Sequence, residues 1–471
     1  MKKIIFAFAL LITSQCFSKE STDSLHQKLF PVVELQQDLD SLYKILNNNH
    51  PDLYRFADRY EVGMAWEEAK NNIKQPMTRW EFIRVVAPLV NMFRDGHTNL
   101  SYDFESEELN TFLKRDGKFF PLRVSIRSGE AIIIDHWENS GSPLAKKKLL
   151  VVNGKPVGEI IKALTALTAG DYPANVEANL SRLFPFFLWA NYGWEKEFNI
   201  TTSGRKGLTN NYLVPGVPAQ VYFDRTFPKQ DWTMQINEKE SLAIISCSSY
   251  RNMKTASAFI DSAFALVKKK GLKHVALDIR RNGGGNSAIG NYFLSYITSE
   301  PFADVVSKTI RDGSLLNQFT KGTWVHNMLT GYRAMGFRDG DLLTREFKGN
   351  EPEKISHPEN RFNGKFYLLT GPSTYSSAHM TALAVKCNRI GVIIGEPTGE
   401  RIDLTGETIG FSLPNTKLNG YCATAVYRAA CGDGSQTGVK PDIALSSLPQ
   451  QFLDSNDPVL AYLKELVKIF N

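Results

Sequence analysis

From about residue 236 onward, short apolar runs alternate with amphipathic stretches of helical length. SLAIISC reads as a strand, Thr255 to Lys269 as a helix, HVALDI as a strand and Ser287 to Ile297 as a helix. KFYLLT, Ser376 to Val385 and GVIIG then repeat the order strand, helix, strand. A chain that alternates in this way folds as a mainly parallel sheet covered by helices. Ligands and reacting groups collect at the C-terminal ends of such strands. The loops RRNGGGN and GPSTYSS leave two of those ends and are the first places to look for chemistry.

The 471 residues exceed what one hydrophobic core usually serves, so two or three domains are expected. Residues 19–115 read as helical. Thr78-Arg79-Trp80-Glu81 is a capping box, followed by Phe82, Val85, Val86, Leu89 and Phe93 on one helix face. Pro88 is expected to kink that helix, and Gly96 in FRDGHTNL to stop it in the left-handed conformation. Residues 116–235 form a β-rich module in which AIIID, LLVVNGKPV and QVYF read as strand-like runs. Asn153-Gly154 is a tight-turn signal there, and SPLAKKKLLVVNGKPVGEIIKAL reads as strand, turn, strand, helix. Residues 236–471 form the α/β domain.

The N-terminus has the form of an export leader at 1–18. Lys2 and Lys3 precede the apolar run Ile4 to Ile12, and a small-x-small cleavage site ends at Ser18. Acylation of Cys16 is the rival reading, but Gln15 stands where a lipoprotein signal needs a small residue. No later run approaches the ~18 apolar residues of a membrane helix, so an exported protein, periplasmic or extracellular, is expected. Beyond Cys16 there are four cysteines: Cys247, Cys387, Cys422 and Cys431. They are too few for a disulfide framework, although Cys422 and Cys431 are close enough in sequence to close a small loop. With no CxxC, HExxH or paired-His spacing, no metal site is expected. The net charge of +6 is scattered, and the triplets Lys146-Lys147-Lys148 and Lys268-Lys269-Lys270 read as solvated faces or helix ends. No nucleic-acid partner is implied.

The glycine loop admits three readings. Gly283-x-Gly285-x-x-Ala288 fits the loose dinucleotide fingerprint. The strand before it ends in Asp278 and two arginines rather than apolar residues, and an exported protein meets little free dinucleotide. As a second reading, consecutive glycines at a helix N-terminus present backbone N–H groups to an anion with no Cβ in the way. The third reading is a tight turn without chemistry.

RDGHTNL, DIRRNGGGN and GPSTYSSAHMTALA occur in that order, with LPN at 413–415 and GVKPDI near the end. In this order they resemble the C-terminal-processing (tail-specific) serine peptidases and their tricorn-like relatives, over most of the mature chain. The resemblance implies a helical N-terminal region, a PDZ-like middle module and an α/β catalytic domain of the ClpP/crotonase-like type. It also implies a nucleophile at Ser376, with Ser373 and Ser377 as weaker candidates. The oxyanion hole it implies is an N–H of Gly283-Gly284 together with that of Ser377. A helix cap is the structural reading of Ser376.

The lysine that one branch of the family places 25 residues after the serine is Arg401 here, which cannot surrender its proton. The resemblance is therefore to the Ser/His branch, with His97 as base, since imidazole is well matched to accept a hydroxyl proton. His379 is a lesser candidate, and His50 reads as structural. The acid that orients His97 is open between Asp433 and Glu407. The expected activity is hydrolysis of peptide bonds in unfolded proteins or peptides, without cofactor or metal. The alternative is an inactive relative that binds a peptide or apolar ligand on the same scaffold, as interphotoreceptor retinoid-binding protein does.

Overall fold

The computed structural model describes residues 28–100, 107–138, 141–204, 207–318, 324–348, 355–434, 437–446 and 457–469. The leader expected at 1–18, with Cys16, lies outside them.

Six strands form the central sheet in the order Trp232–Asn237, Leu242–Cys247, His274–Asp278, Lys365–Thr370, Val392–Gly395 and Ile443–Ala444. The first pair is antiparallel and every later pair parallel. Successive strand residues point to opposite faces, and alternate residues join two different cores. Ala243, Ile245, Val275, Leu277, Phe366, Leu368 and Ile393 pack with the helices Met253–Lys269, Ser287–Ile297 and Ser377–Asn388. Leu242, Ile244, Ala276, Tyr367, Leu369 and Ile394 face the C-terminal helix Pro458–Ile469 instead, through Val459, Leu463 and Val467. The alternation in the sequence is thus a sheet covered on both faces. The loops after Asp278, Thr370 and Gly395 leave neighbouring strands at one end.

The N-terminal helices run Val32–Asn49, Arg59–Asn72 and Arg79–Asn91. The capping box forms as read: Thr78 Oγ1 accepts the Glu81 N–H, and Glu81 Oε2 accepts the Thr78 N–H at 2.8 Å. Pro88 lies inside the third helix, which continues to Asn91. The left-handed residue beyond it is Arg94 (φ 54°), not Gly96. Gly96 is needed for another reason, set out below. The chain then pairs Asn99–Leu100 antiparallel with the long strand Asn419–Ala429, which also pairs with Val305–Arg311 and Thr405–Ser412. That pairing fastens the RDGHTNL segment to the α/β domain.

In the middle region Leu122–Arg127, Glu130–His136, Lys148–Val152, Glu197–Ser203 and Thr209–Pro215 form an antiparallel sheet, with Lys155–Pro156 paired to Lys148–Val152. Asn153 and Gly154 turn with φ of 48° and 79°, and the expected helix follows at Val157–Ala166. Two readings differ. QVYF lies in the helix Ala219–Thr226, because a short apolar run has no decisive period. A long helix, Pro173–Tyr192, crosses the module and packs on Leu122–Arg127. Side chains of the helical and middle regions also share one continuous core. Phe112 stacks on Phe119 at 5.2 Å between ring centroids, and both meet Trp189.

The disulfide joins Cys387 to Cys431, while Cys247 and Cys422 are free and buried. A Cys422–Cys431 bridge is ruled out by the strand that carries Cys422 to Ala429. Seven extended residues span roughly 23 Å, far beyond the ~7 Å limit between bridged Cα atoms. Non-reducing peptide mapping is expected to recover a Cys387–Cys431 pair. Replacing both cysteines by serine should cost about 2–4 kcal/mol of stability, read by denaturant unfolding. A recovered Cys422–Cys431 peptide would contradict this fold.

Candidate active site

Ser376 ends the turn that follows the strand Lys365–Thr370. Its φ of 53° and ψ of −127° are strained for any residue with a Cβ, a cost of about 1–3 kcal/mol. Neighbouring bonds hold the turn in place. Thr374 Oγ1 donates to the Ile279 carbonyl at 2.8 Å, the Tyr375 N–H donates to the Asn282 carbonyl at 3.0 Å, and the Gly399 N–H donates to the Thr374 carbonyl at 2.8 Å. Ser376 is partly exposed and its side chain makes no capping bond to the helix it precedes. Its hydroxyl is therefore not a helix cap. Ser377, by contrast, is buried and donates its hydroxyl to the Gly285 carbonyl at 2.6 Å.

Glu400, on the loop after Val392–Gly395, is fully buried against this turn. One carboxylate oxygen, Oε2, accepts the Ser376 N–H at 2.5 Å. The other, Oε1, lies 3.2 Å from His97 Nδ1. Nδ1 is also 3.2 Å from Thr405 Oγ1, and it is towards Thr405 that the hydrogen-bond geometry is met. Thr405 commits its own proton to Asp95 Oδ1 at 2.7 Å, so towards His97 it can only accept. Both neighbours of Nδ1 are acceptors. The neutral ring therefore carries its proton on Nδ1 and its free lone pair on Nε2, the form a general base requires.

Asp95 is filled on both oxygens. Oδ1 takes the His97 N–H and the Thr405 hydroxyl, and Oδ2 takes the Thr98 hydroxyl and His50 Nε2–H. His50 Nδ1 accepts the Asp52 N–H, which leaves Nε2 as the donor to Asp95 and makes His50 structural. Burial would raise the Asp95 carboxyl, but the bond and charge of His50, with help from His97 and Thr405, hold it well below the usual range. Burial would likewise lower His97, yet the charge and contact of Glu400, with the charges of Asp95 and Asp171, push it up to about 9. Burial raises Glu400 against the pull of His97. His379 is buried between Thr398 Oγ1 at 2.8 Å and the Ile402 carbonyl, and burial lowers it to about 4. It belongs to the helix core.

The other expected residues fall as follows. Glu407 pairs with Lys308 Nζ at 2.6 Å and accepts the Tyr427 hydroxyl at 2.6 Å. Asp433 is exposed beyond the disulfide. The carboxylate at His97 is Glu400, one residue before the position where a base lysine was sought and found to be arginine. That neighbouring glutamate was the available signal. Arg401 itself lies 4.0 Å over the Phe56 ring and donates to the Asp171 carbonyl at 2.8 Å.

In the glycine loop, Gly284 donates its N–H to Asn282 Oδ1 at 2.8 Å, so that amide is not available to an oxyanion. Among the described residues the Gly283 and Ser377 N–H groups have no partner. Gly284 is needed sterically instead. It has φ +99°, and a Cβ there would lie 2.6 Å from Ser376 Cβ. Gly285 passes the Tyr250 carbonyl just as closely, and the helix starts behind Asn286, whose side chain accepts the Ala288 N–H. Among the described residues no group of His, Cys, Asp and Glu has the arrangement of a metal site.

Residues 241–445 match the model of peptidase family S41. The chain is thereby placed among serine-type peptidases. Its fold is similar to that of mature CPAF in complex with lactacystin, with a TM-score of 0.63 at 13% identity over 93% of this chain and 98% of that one. A point mutant of CPAF gives a TM-score of 0.65 at the same identity and coverage. No curated protein sequence matches the chain. The matched S41 segment contains Ser376, Glu400 and the glycine loop, while His97 reaches the site from outside it.

Two outcomes are expected. In a ring-proton NMR titration His97 should titrate near 9, and Glu400→Gln should lower it, because losing the carboxylate leaves burial to disfavour the imidazolium. An unchanged midpoint would mean that Glu400 does not govern this ring. Gly284→Ala should leave a folded protein in which Ser376 is displaced. Its labelling by a fluorophosphonate should fall at least about 100-fold, the cost of an ~1 Å misplacement.

Proposed function

We propose that this chain is an exported serine peptidase of the Ser/His kind, with Ser376 as nucleophile and His97 as base. The observation that carries the reading is Glu400, which touches the Ser376 backbone with one oxygen and the His97 ring with the other. Ser376 Oγ attacks the peptide carbonyl while Nε2 takes its proton. The imidazolium forms beside the Glu400 carboxylate, and the Gly283 and Ser377 N–H groups receive the oxyanion. The imidazolium then protonates the leaving amine. In the second half water, deprotonated by the same Nε2, attacks the acyl-enzyme, and as the acyl C–Oγ bond breaks the imidazolium returns its proton to Ser376 Oγ and the acid product leaves.

The substrates of this reading are unfolded segments or short peptides, since a cleft built from loops of several regions admits extended chain more readily than folded protein. Export is supported by the charged and apolar leader and by a disulfide, which persists in oxidising compartments.

A fluorophosphonate should label the wild-type protein at Ser376, and Ser376→Ala should abolish both labelling and hydrolysis. Failure to label would favour the binding-scaffold reading. A reduced, alkylated protein should be cut and its native form spared. Because the base must be neutral and its pKa is raised to about 9, kcat/KM should climb with pH from 7 to 9. A profile already flat at pH 7 would mean that the carboxylates around His97 do not raise its pKa. N-terminal sequencing of exported material should begin at Lys19.

A further inference from the structure

One buried carboxylate at the site that the reaction does not use is Asp171, in the loop between the helices Val157–Ala166 and Pro173–Tyr192. Its Oδ1 accepts the Gly96 N–H at 2.9 Å and the Tyr375 hydroxyl at 2.5 Å. Its Oδ2 accepts the Arg401 N–H at 3.2 Å. Gly96 is the residue before His97, Tyr375 the residue before Ser376, and Arg401 the residue after Glu400. One side chain thus ties the neighbour of each member of the proposed triad.

The surrounding packing is built for that bond pattern. A Cβ on Gly96 would lie 2.5 Å from the Tyr375 hydroxyl and 3.3 Å from Asp171 Oδ1, which is why glycine precedes His97. The Tyr375 ring packs on the His97 ring, with centroids 4.8 Å apart. The same loop and the helix after it reach both turns a second time: the Tyr172 hydroxyl donates to the Thr398 carbonyl, and Asn175 Nδ2 donates to the Pro372 carbonyl at 2.9 Å.

We propose that Asp171 is a positioning residue, through which the middle region holds the His97, Ser376 and Glu400 segments in register. The inference rests on the serine-peptidase reading above: Glu400 bridges the Ser376 and His97 segments from within the site, and Asp171 ties all three from the middle region outside it. Three chain segments distant in sequence meet here at loop ends, and without a common anchor each keeps its own freedom. Near-attack geometry tolerates little of that, so loss of the anchor acts on the chemical step rather than on substrate binding.

The test compares Asp171→Ala, Asp171→Asn and Tyr375→Phe with wild type. The readouts are kcat and KM on a short peptide, the rate of fluorophosphonate labelling, and amide exchange at Ser376. The Ser376 N–H is bonded to Glu400 and not to Asp171, so its protection reports register rather than a deleted bond. Asp171→Ala is expected to lose about 100-fold in kcat and labelling rate with KM within about twofold, and to expose the Ser376 amide to exchange. Asp171→Asn still accepts from Gly96 and Tyr375 but meets Arg401 with a second donor, so an intermediate loss is expected. Tyr375→Phe removes one anchor and should lose less than the alanine variant.

If the alanine variant does not fold, the isosteric Asn and the Phe variants decide. Variants that lose thermal stability but keep full kcat and Ser376 protection would overturn the proposal. A wild type that is not labelled would defeat the peptidase reading alone, and Ser376 exchange in the variants would still judge the anchor.

Discussion

The rest of the site depends on one buried imidazole placed among carboxylates. Glu400, Asp95 and Asp171 all act on His97, and the dry surroundings make each of those charges count for more than it would in water. Their work is divided by hydrogen bonding. Asp95 is saturated by four donors and serves the loop that carries His97. Glu400 keeps one oxygen free of other donors and aims it at Nδ1. Asp171 spends its oxygens on the segments around the reacting groups. The Thr405 hydroxyl, committed to Asp95, joins Glu400 in presenting only acceptors to Nδ1, which fixes the tautomer of the ring.

The sheet supplies the geometry that such a cluster needs. Neighbouring parallel strands end at Asp278, Thr370 and Gly395, and their loops bring Gly283, Ser376 and Glu400 to one place. The fourth component, His97, arrives from the N-terminal helices and is fastened by the pairing of Asn99–Leu100 with the strand Asn419–Ala429. The strained Ser376 is held by the bond of its own N–H to Glu400 and of the Tyr375 N–H to Asn282, on the two flanking loops, so the cost of its conformation is offset outside its own turn. Close approach accounts for both Gly96 and Gly284: each stands where a Cβ would strike the residue pair Tyr375-Ser376.

The continuous core between the helical and middle regions changes how the parts relate to the site. A middle module with its own core would meet the α/β domain at a separable interface. Here Trp189 ties it to the helix that leads to His97, with Trp80 edge-on to it at 6.3 Å between ring centroids, and the loop bearing Asp171 reaches the turn of Ser376 directly.

Much was legible from residues alone. The alternation of apolar runs such as HVALDI and KFYLLT with helical stretches, the capping box at Thr78, and the order of the three motifs are local or nearly local properties. They led to the sheet, the serine turn and His97 without reference to the fold. What escaped has a common cause: it depends on which distant residues meet. Glu400 is an ordinary glutamate in a turn until its loop is laid beside the one bearing Ser376. Cys387 finds Cys431 only because a long strand carries Cys431 away from Cys422. The role of Gly96 is set by a tyrosine 279 positions later, since spacing along the chain carries no record of a contact made across it. Sequence thus determined the elements through short-range periodicity, and it pointed to the type of chemistry through motifs that resemble a peptidase family. Only the tertiary structure decided which carboxylate faces the imidazole and which amides remain free, because those are settled by the packing of loops at the sheet's edge.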